Sequence, residues 1–283
     1  MKAIVLGAGG ILGHDVIDQS PPGCELTALT HKDLDITDRA GLVQAITGLH
    51  AEVVINAAAY TKVDQAESEP DEAFRVNRDA VASLAEIAKR DRFLLVHIST
   101  DYVFDGDSAA PYVETSEPHP LNTYGASKLA GEEALRASGA RHLIVRTQWL
   151  FGSHGRSFPR TMWERATTGK ATRVVDDQLG RPTYTRDLAS AIWRLVLQRC
   201  EGTCHVANSG DATWFDVASR VFARAKQPDL LTKCSTADYP TAARRPRRSI
   251  LSTQRYEHEV GQRLPCWETA LDHFLAHLTG GTP

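Results

Sequence analysis

Residues 3–13 constrain this chain more than any other stretch. Ala3 to Leu6 reads as a short apolar strand, Gly7-Ala8-Gly9-Gly10-Ile11-Leu12-Gly13 follows, and an amphipathic helix runs from about Ile11 to Gln19. Glycines at 7, 10 and 13 permit a tight strand-to-helix turn, close approach of the backbone to a pyrophosphate, and tight packing of helix on strand. The helix amino terminus then offers free N–H groups to phosphates. Placed after a strand and opening a helix, this is a dinucleotide-binding pattern, and Gly7, Gly10, Ile11, Leu12 and Gly13 are its cofactor-binding candidates. The fold that carries such a turn is α/β, a Rossmann-like doubly wound parallel sheet.

Glu25 to Leu29 reads as the second strand. Its end faces the adenine ribose in such a fold, where an acidic residue usually meets a cofactor lacking a 2′-phosphate. Thr30-His31-Lys32 stands there instead. A cation at His31 or Lys32 favours NADPH over NADH, and a merely solvated Lys32 is the other reading. Asp35, with Ile36 beside it, is a candidate for the adenine edge, and Asp38 is expected to cap a helix over 39–49. Glu52 to Asn56 is another strand, running into Ala57-Ala58-Ala59-Tyr60. Small residues there either let a cofactor lie against the backbone or let a helix pack closely on the sheet. The pattern predicts one helix from Pro70 through Arg90. Asn77 falls inside it, where a buried amide needs partners, and it is expected to hold a water or a backbone group near the site. Phe93 to Ile98 is the next strand, with Ser99 and Thr100 at its carboxyl end, the edge where open parallel sheets bind ligands.

Tyr124-Gly125-Ala126-Ser127-Lys128 has helical spacing, so Tyr124 and Lys128 stand one turn apart on one face. An ammonium beside a phenol lowers its pKa, which suits a proton donor, while the amine also holds a sugar hydroxyl of the cofactor. The Thr100 hydroxyl is placed to hold the oxygen of a reacting carbonyl. Thr100, Tyr124 and Lys128 are therefore the catalytic candidates. A chance pair on a helix surface is the alternative, and the shared edge of Gly7, Ala57 and Thr100 argues against it.

Composition removes several classes. With 283 residues, 42% hydrophobic and 24% charged, the chain can build one large α/β unit or two lobes. A net charge of −3 gives no global field for nucleic acid. No apolar run is long enough to span a bilayer, and the first residues enter a strand with no secretory pattern. The five cysteines, at 24, 200, 204, 234 and 266, are scattered as reduced thiols would be, which predicts a cytoplasmic protein. Cys200, Cys204 and His205 are close in sequence, but no second ligand cluster accompanies them and no metal site is expected.

These blocks, together with Val63-Asp64-x-Ala66-Glu67, Ser99-Thr100-Asp101-Tyr102-Val103-Phe104-Asp105-Gly106 and Tyr124-Gly125-x-Ser127-Lys128-x-x-Gly131-Glu132, resemble the extended short-chain dehydrogenase/reductases. Within them the chain is most similar to the dTDP-4-dehydrorhamnose reductases. The likeness continues through Arg146-Thr147-x-Trp149, Phe151-Gly152, Asp177-Gln178-x-Gly180-x-Pro182-Thr183, Asp187-Leu188-Ala189 and Arg245-Pro246, so it covers most of the chain. Departures are Gln148, where the family commonly has Ser, and Ser157, where it has Asn. The resemblance implies NADPH or NADH as cofactor and reduction of the C4 ketone of a dTDP-linked 4-keto-6-deoxy-hexose. It implies Tyr124 as proton donor, Lys128 as ribose holder and Thr100 as third catalytic hydroxyl. It extends the cofactor-binding set to Ser99 and Asn77, and puts Asp101, Tyr102, Val103, Phe104, Trp149 and Arg245 with Thr100 on the substrate. No nucleic-acid or membrane partner is implied, and a homodimer is the assembly to be tested.

The second half supports a smaller, interleaved C-terminal substrate-binding lobe. Residues 1–150 and 184–210 are assigned to the dinucleotide-binding domain, and 151–183 and 211–283 to the nucleotide-sugar lobe. Trp149 either stacks on a sugar or base or is structural. Asp187 is expected to cap a helix to Leu197, Trp267–Leu278 is the last helix, and the tail 279–283 is expected to be flexible. Arg244-Arg245-Pro246-Arg247-Arg248 is the densest basic cluster. Arginine suits a diphosphate through bidentate geometry, and a solvated surface run is the alternative. A dehydratase needs a carboxylate pair beside the threonine, and Tyr102 replaces the second member. A 4-epimerase fits the other motifs less well. A reductase of another nucleotide-linked deoxy-sugar, and a non-catalytic regulatory subunit of the methionine adenosyltransferase type, remain the rival readings.

Overall fold

β1 (Lys2–Leu6) is buried at every position after the first, as a strand covered on both faces must be. Its side chains alternate, so Ala3 and Val5 enter one core while Ile4 and Leu6 enter another. β2 (Glu25–Leu29), β3 (Val53–Asn56), β4 (Leu94–Thr100), β5 (His142–Thr147) and the strand Gly202–His205 complete a six-stranded sheet. All its pairings are parallel, in the order β2-β1-β3-β4-β5-(202–205). The strand order therefore reverses between β1 and β3, which is where a crevice opens in such sheets. The computed structural model describes residues 1–280; the part of the expected tail at 281–283 lies outside the described residues.

One face is covered by the helices Ile11–Asp18, Thr185–Leu197 and Gln254–Val260 through Leu12, Val16, Leu188, Ile192 and Tyr256. Trp193 ties the first two by donating its indole N–H to the Val16 carbonyl at 2.7 Å. The other face is covered by Arg39–Ile46, Ala80–Asp91 and Thr123–Ser138. A third core, with Phe151, Val174, Phe222, Trp267 and Phe274, joins the helices Phe158–Thr167, Trp214–Arg224 and Trp267–Leu278 to three two-stranded pairs.

Several expectations need correction. The helix expected over 39–49 stops at Ile46, because Thr47 leaves the helical region at ψ 130°, and Gly48 follows at φ +93°. Asp38 does cap it, accepting the Ala40 N–H at 3.0 Å. The helix expected from Pro70 to Arg90 is present and runs without a break to Asp91, with a π turn over Arg75–Asp79 between Pro70–Phe74 and Ala80–Asp91. Asp187 is no cap, since its helix starts at Thr185; its carboxylate accepts the Asn208 amide N–H at 2.7 Å instead. The stretch around Tyr256 and Leu264 packs on the main sheet and not in the third core, so 211–283 is not one continuous part of the smaller lobe.

Candidate active site

The carboxyl ends of β1 to β5 open into one cavity of about 1370 Å³. Gly7, Gly10, Ile11 and Leu12 line it from the first turn, and His31, Lys32, Asp35 and Ile36 from the end of β2. Ala57, Ala58, Ala59 and Tyr60 line it after β3, and Ser99, Thr100, Asp101 and Tyr102 after β4. Tyr124, Lys128 and Trp149 complete the set that the sequence nominates.

Five nominated residues do not line it. Val103 and Phe104 are 0% exposed in a small core with Tyr112 and Leu251, so neither can touch a ligand. Gly13 faces protein: a Cβ there would lie 2.2 Å from the Gly7 carbonyl oxygen. Gly13→Ala is therefore expected to push the helix off its turn and cost about 2 kcal/mol of stability, as overpacking does, with weaker dinucleotide binding. Thermal unfolding and a cofactor titration check this; a variant matching the parent in both overturns it. Asn77 is buried and pins the loop after β3, accepting the Tyr60 N–H at 3.0 Å and donating to the Tyr60 carbonyl at 3.1 Å and Ser127 Oγ at 2.9 Å. The expectation of a backbone group is met, and Asn77 positions Tyr60. Arg245 is paired with Asp64 at 2.7 and 3.0 Å and sits against Tyr102 behind the cavity wall.

The helix carrying Tyr124 and Lys128 is started by Asn122, whose side chain accepts the Gly125 N–H at 2.8 Å. Its glycines are contact points. A Cβ at Gly125 would meet the Tyr102 carbonyl at 2.1 Å, and one at Gly131 the Asn77 carbonyl at 2.0 Å. Only glycines let this helix seat against the 3₁₀ turn after β4 and against the π turn, and that seating brings Tyr124 beside Thr100. Behind it, Glu132 and Arg146 form a buried bidentate pair at 2.9 and 2.7 Å, with Arg136 adding a third bond at 2.7 Å. Burial works to raise the Glu132 pKa, but the Arg146 hydrogen bonds and charge outweigh it and hold the carboxylate below its ordinary value.

The electrostatics differ from the expectation at one point. Burial pushes the Tyr124 phenol up to about 12; the neighbouring Thr100 hydroxyl lowers it and Asp101 raises it. Lys128 does not bring it down, because its amine turns to β4, donating to the Ile98 carbonyl at 2.6 Å. Burial has also pushed Lys128 itself down to about 8, with Glu132 acting the other way. Tyr124 is thus a neutral phenol, a proton donor, across the neutral range. Burial pushes the Asp101 carboxyl up to about 7, against hydrogen bonds from Ser249 and from the Thr100 hydroxyl.

Trp214, Phe158, Arg156 and Arg75 line the cavity without having been nominated from the sequence. Trp149, at φ +49°, stacks on Trp214 with centroids 3.7 Å apart and planes 8° apart. Gly180 lies beneath it, where a Cβ would come within 2.5 Å of the indole. Gln178 accepts the Trp214 indole N–H at 3.2 Å. The Asp-Gln-x-Gly block therefore builds an aromatic wall for the cavity rather than offering its own polar groups. Phe158, Arg156, Gln148 and Arg75 also line the cavity. Arg75 adds a cation to the end marked by His31 and Lys32, held by Glu72 at 2.8 Å and Thr37 at 2.5 Å. Only tertiary packing brings these together; a signal for Trp214 would have been its place just after the cap Thr213. Asp15, Asp18 and His154 place ligand atoms within 4.8 Å of one another, and the Thr185 hydroxyl already bonds Asp15. Cys200, Cys204 and His205 form no such group among the described residues; His205 packs against Arg146 and the Tyr112 carbonyl.

Residues 1–279 match the family model described as RmlD substrate binding domain. The chain is 37% identical over 283 residues to the dTDP-4-dehydrorhamnose reductase of Sinorhizobium fredii (strain NBRC 101917 / NGR234), covering 95% of this chain and 94% of that protein. It is 39% identical to the dTDP-4-dehydrorhamnose reductase of Mycolicibacterium smegmatis, covering 99% and 87%. A crystal structure of dTDP-4-dehydrorhamnose reductase from Bacillus anthracis str. Ames, in complex with NADP, superposes with a TM-score of 0.94 at 36% identity, covering 98% of this chain and 99% of that one. Among the described residues no helix is long and apolar enough to cross a membrane. On the full-length family match, these identities and the shared fold, the chain belongs to the dTDP-4-dehydrorhamnose reductase family.

Proposed function

We propose that this protein reduces the C4 ketone of dTDP-4-dehydro-6-deoxy-L-mannose to give dTDP-L-rhamnose, with NADPH as reductant. The observation that carries the proposal is the meeting of Thr100, Tyr124 and Lys128 in the cavity that the glycine turn also lines. The residues present fit a dinucleotide. Gly7 takes φ +74° and lies against Ala58, while a Cβ at Gly9 would meet nothing nearer than Thr30 at 3.6 Å, so the turn offers bare backbone to the cavity. Gly10 precedes the first helix with no side-chain cap, which leaves its N–H groups to a diphosphate. His31, Lys32 and Arg75 give the β2 end the charge that suits a 2′-phosphate, which favours NADPH over NADH.

When bound, NADPH supplies the hydride. The chain's residues do the rest. Thr100, its hydroxyl turned from Asp101 to the cavity, holds the ketone oxygen, Tyr124 gives it a proton as negative charge develops, and Lys128 holds the ribose. Tyr102 and the Trp149–Trp214 wall shape the sugar side, and Arg245 acts there through Tyr102. A cytoplasmic homodimer belongs to the same proposal and is checked by light scattering and cell fractionation.

Loss of absorbance at the reduced-nicotinamide band tests the reaction, with the dTDP-keto-sugar generated in place by the upstream enzymes and NADPH and NADH run in parallel. Oxidation that depends on the sugar is expected, faster with NADPH. No oxidation with cofactor bound would transfer the proposal to another keto-sugar or to a regulatory subunit. In the same assay Lys128→Met is expected to lose both turnover and cofactor affinity, each by about tenfold or more. Normal affinity in that variant would remove the ribose role.

A further inference from the structure

Asp64 lies after β3 in the short helix Val63–Ala66, and the scheme above gives it no part. Its carboxylate accepts from Arg245 Nη1 at 3.0 Å, from Arg245 Nη2 at 2.7 Å and from the Ala243 N–H at 3.0 Å. Arg245 Nη1 also donates to the Ala243 carbonyl at 3.0 Å. A guanidinium has five N–H donors. Both donors of Nη1 and one of Nη2 are engaged here, which leaves the second Nη2 donor and the one at Nε. The same guanidinium faces the Tyr102 phenol. Arginine can only donate, so the phenol oxygen is the acceptor there and its hydrogen points elsewhere. Among the described residues that O–H donates to no protein acceptor, and Tyr102 lines the cavity.

We propose that Asp64 and Arg245 are positioning residues that aim the Tyr102 hydroxyl at an acceptor oxygen on the hexose of the nucleotide-sugar. Asp64 locks the guanidinium, the guanidinium holds the phenol oxygen, and the phenol hydrogen is left for the sugar. This rests on the reductase reading.

The surroundings favour this role over a surface ion pair. Such a pair leaves both side chains in water, whereas that of Arg245 is 19% exposed. Its loop is seated on the catalytic helix: the Asn122 amide, which starts that helix, donates to the Arg244 carbonyl at 2.8 Å. Gly106 packs beneath the next residue, where a Cβ would come within 2.7 Å of Pro246 Cβ. The Tyr102 ring meets the Tyr124 ring edge-on, at 78° and 5.9 Å between centroids. Its hydroxyl therefore serves the part of the substrate beside the proton donor, which is the hexose and not the nucleoside. Burial, and next the Asp101 carboxyl, push the phenol above its ordinary range against the Arg245 charge, so the O–H is retained. A cation on the phenol oxygen also makes that O–H a stronger donor, because hydrogen bonds in series polarise one another.

The test is a double-mutant cycle read by binding to the NADP-loaded protein, with dTDP-L-rhamnose and dTDP as probes. Tyr102→Phe keeps the ring and removes the hydroxyl. Asp64→Asn keeps the shape and an acceptor for Ala243, and removes the charge that holds Arg245. Each alone is expected to weaken dTDP-L-rhamnose about tenfold and to leave dTDP within about twofold. Together they should lose no more than Tyr102→Phe alone, since Asp64 acts only through that hydroxyl. A purely structural Asp64 would lower the melting temperature, weaken both probes and add its loss to that of Tyr102→Phe. Additive losses overturn the proposal, and so does unchanged affinity for dTDP-L-rhamnose in Asp64→Asn. Should that variant fail to fold, Arg245→Met takes its place in the cycle with the same expectations. Binding needs no turnover, so failure of the reductase reading would show separately, as an absence of sugar-dependent NADPH oxidation in the unaltered protein.

Discussion

Tyr124→Phe is expected to lose turnover by about 10²- to 10⁴-fold, the range of a positioned general acid, while NADPH affinity stays within about threefold. The two side chains share shape, so the edge contact of Tyr102 with the ring, centroids 5.9 Å apart, survives. What disappears is one O–H. With its pKa pushed up to about 12, the phenol is protonated through the whole neutral range and holds a proton to give at any working pH. The acid limb of the profile should therefore not belong to Tyr124, and loss of its proton should appear only at strongly basic pH in the enzyme without cofactor. Single-turnover absorbance traces beside a cofactor fluorescence titration separate the two effects. Turnover within tenfold of the parent would remove Tyr124 as proton donor, and a large loss of cofactor affinity would mean that the phenol also holds the ribose.

Glu132→Gln is expected to destabilise the fold by about 3–5 kcal/mol, the cost of leaving a buried charge without its counterion. Glu132 is 0% exposed and Arg146 is 1% exposed. Arg146 then keeps the Phe104 ring, 5.1 Å away, His205 at 3.4 Å and one neutral amide oxygen, but no counterion. Replacing the pair together, Glu132→Leu with Arg146→Met, should recover most of the loss, because apolar groups of similar size need no partner. Urea midpoints for the three variants read this directly. A single variant within about 1 kcal/mol of the parent would show that solvent reaches the pair, since exposed pairs contribute little. Glu132 also favours the charged form of Lys128. The midpoint of Lys128 should therefore fall in Glu132→Gln as well, through loss of that field.

Those two residues show where sequence reasoning reaches and where it stops. Tyr124 was legible because its chemistry is local: a phenol and an amine one turn apart on a helix that follows a strand ending in Ser99-Thr100. Glu132 read only as the last letter of the same motif, since its partner is on β5 and nothing in the spacing pairs them. The glycine turn was legible too, because backbone crowding demands glycine regardless of what lies further along the chain. The reasons for Gly125 and Gly131 were not, since the atoms that crowd them belong to Tyr102 and Asn77. Val103 and Phe104 shared a block with Thr100 and Asp101 and were read with them. The 3₁₀ turn at Asp101–Val103 and the extended Phe104 after it carry both into a core.

The sequence by itself nominated Thr100, Tyr124 and Lys128 and determined the parallel sheet and the cofactor edge. Each of these is encoded in short-range sterics and in the alternation of apolar residues, which act within a few positions of the chain. Only the tertiary structure decided which way the Lys128 amine points, that burial raises rather than lowers the Tyr124 pKa, and that Trp149 meets Trp214. It also decided that Arg245 is bound to Asp64 instead of lining the cavity. Those outcomes depend on desolvation and on contacts between residues far apart in sequence, and both are set only when the elements pack.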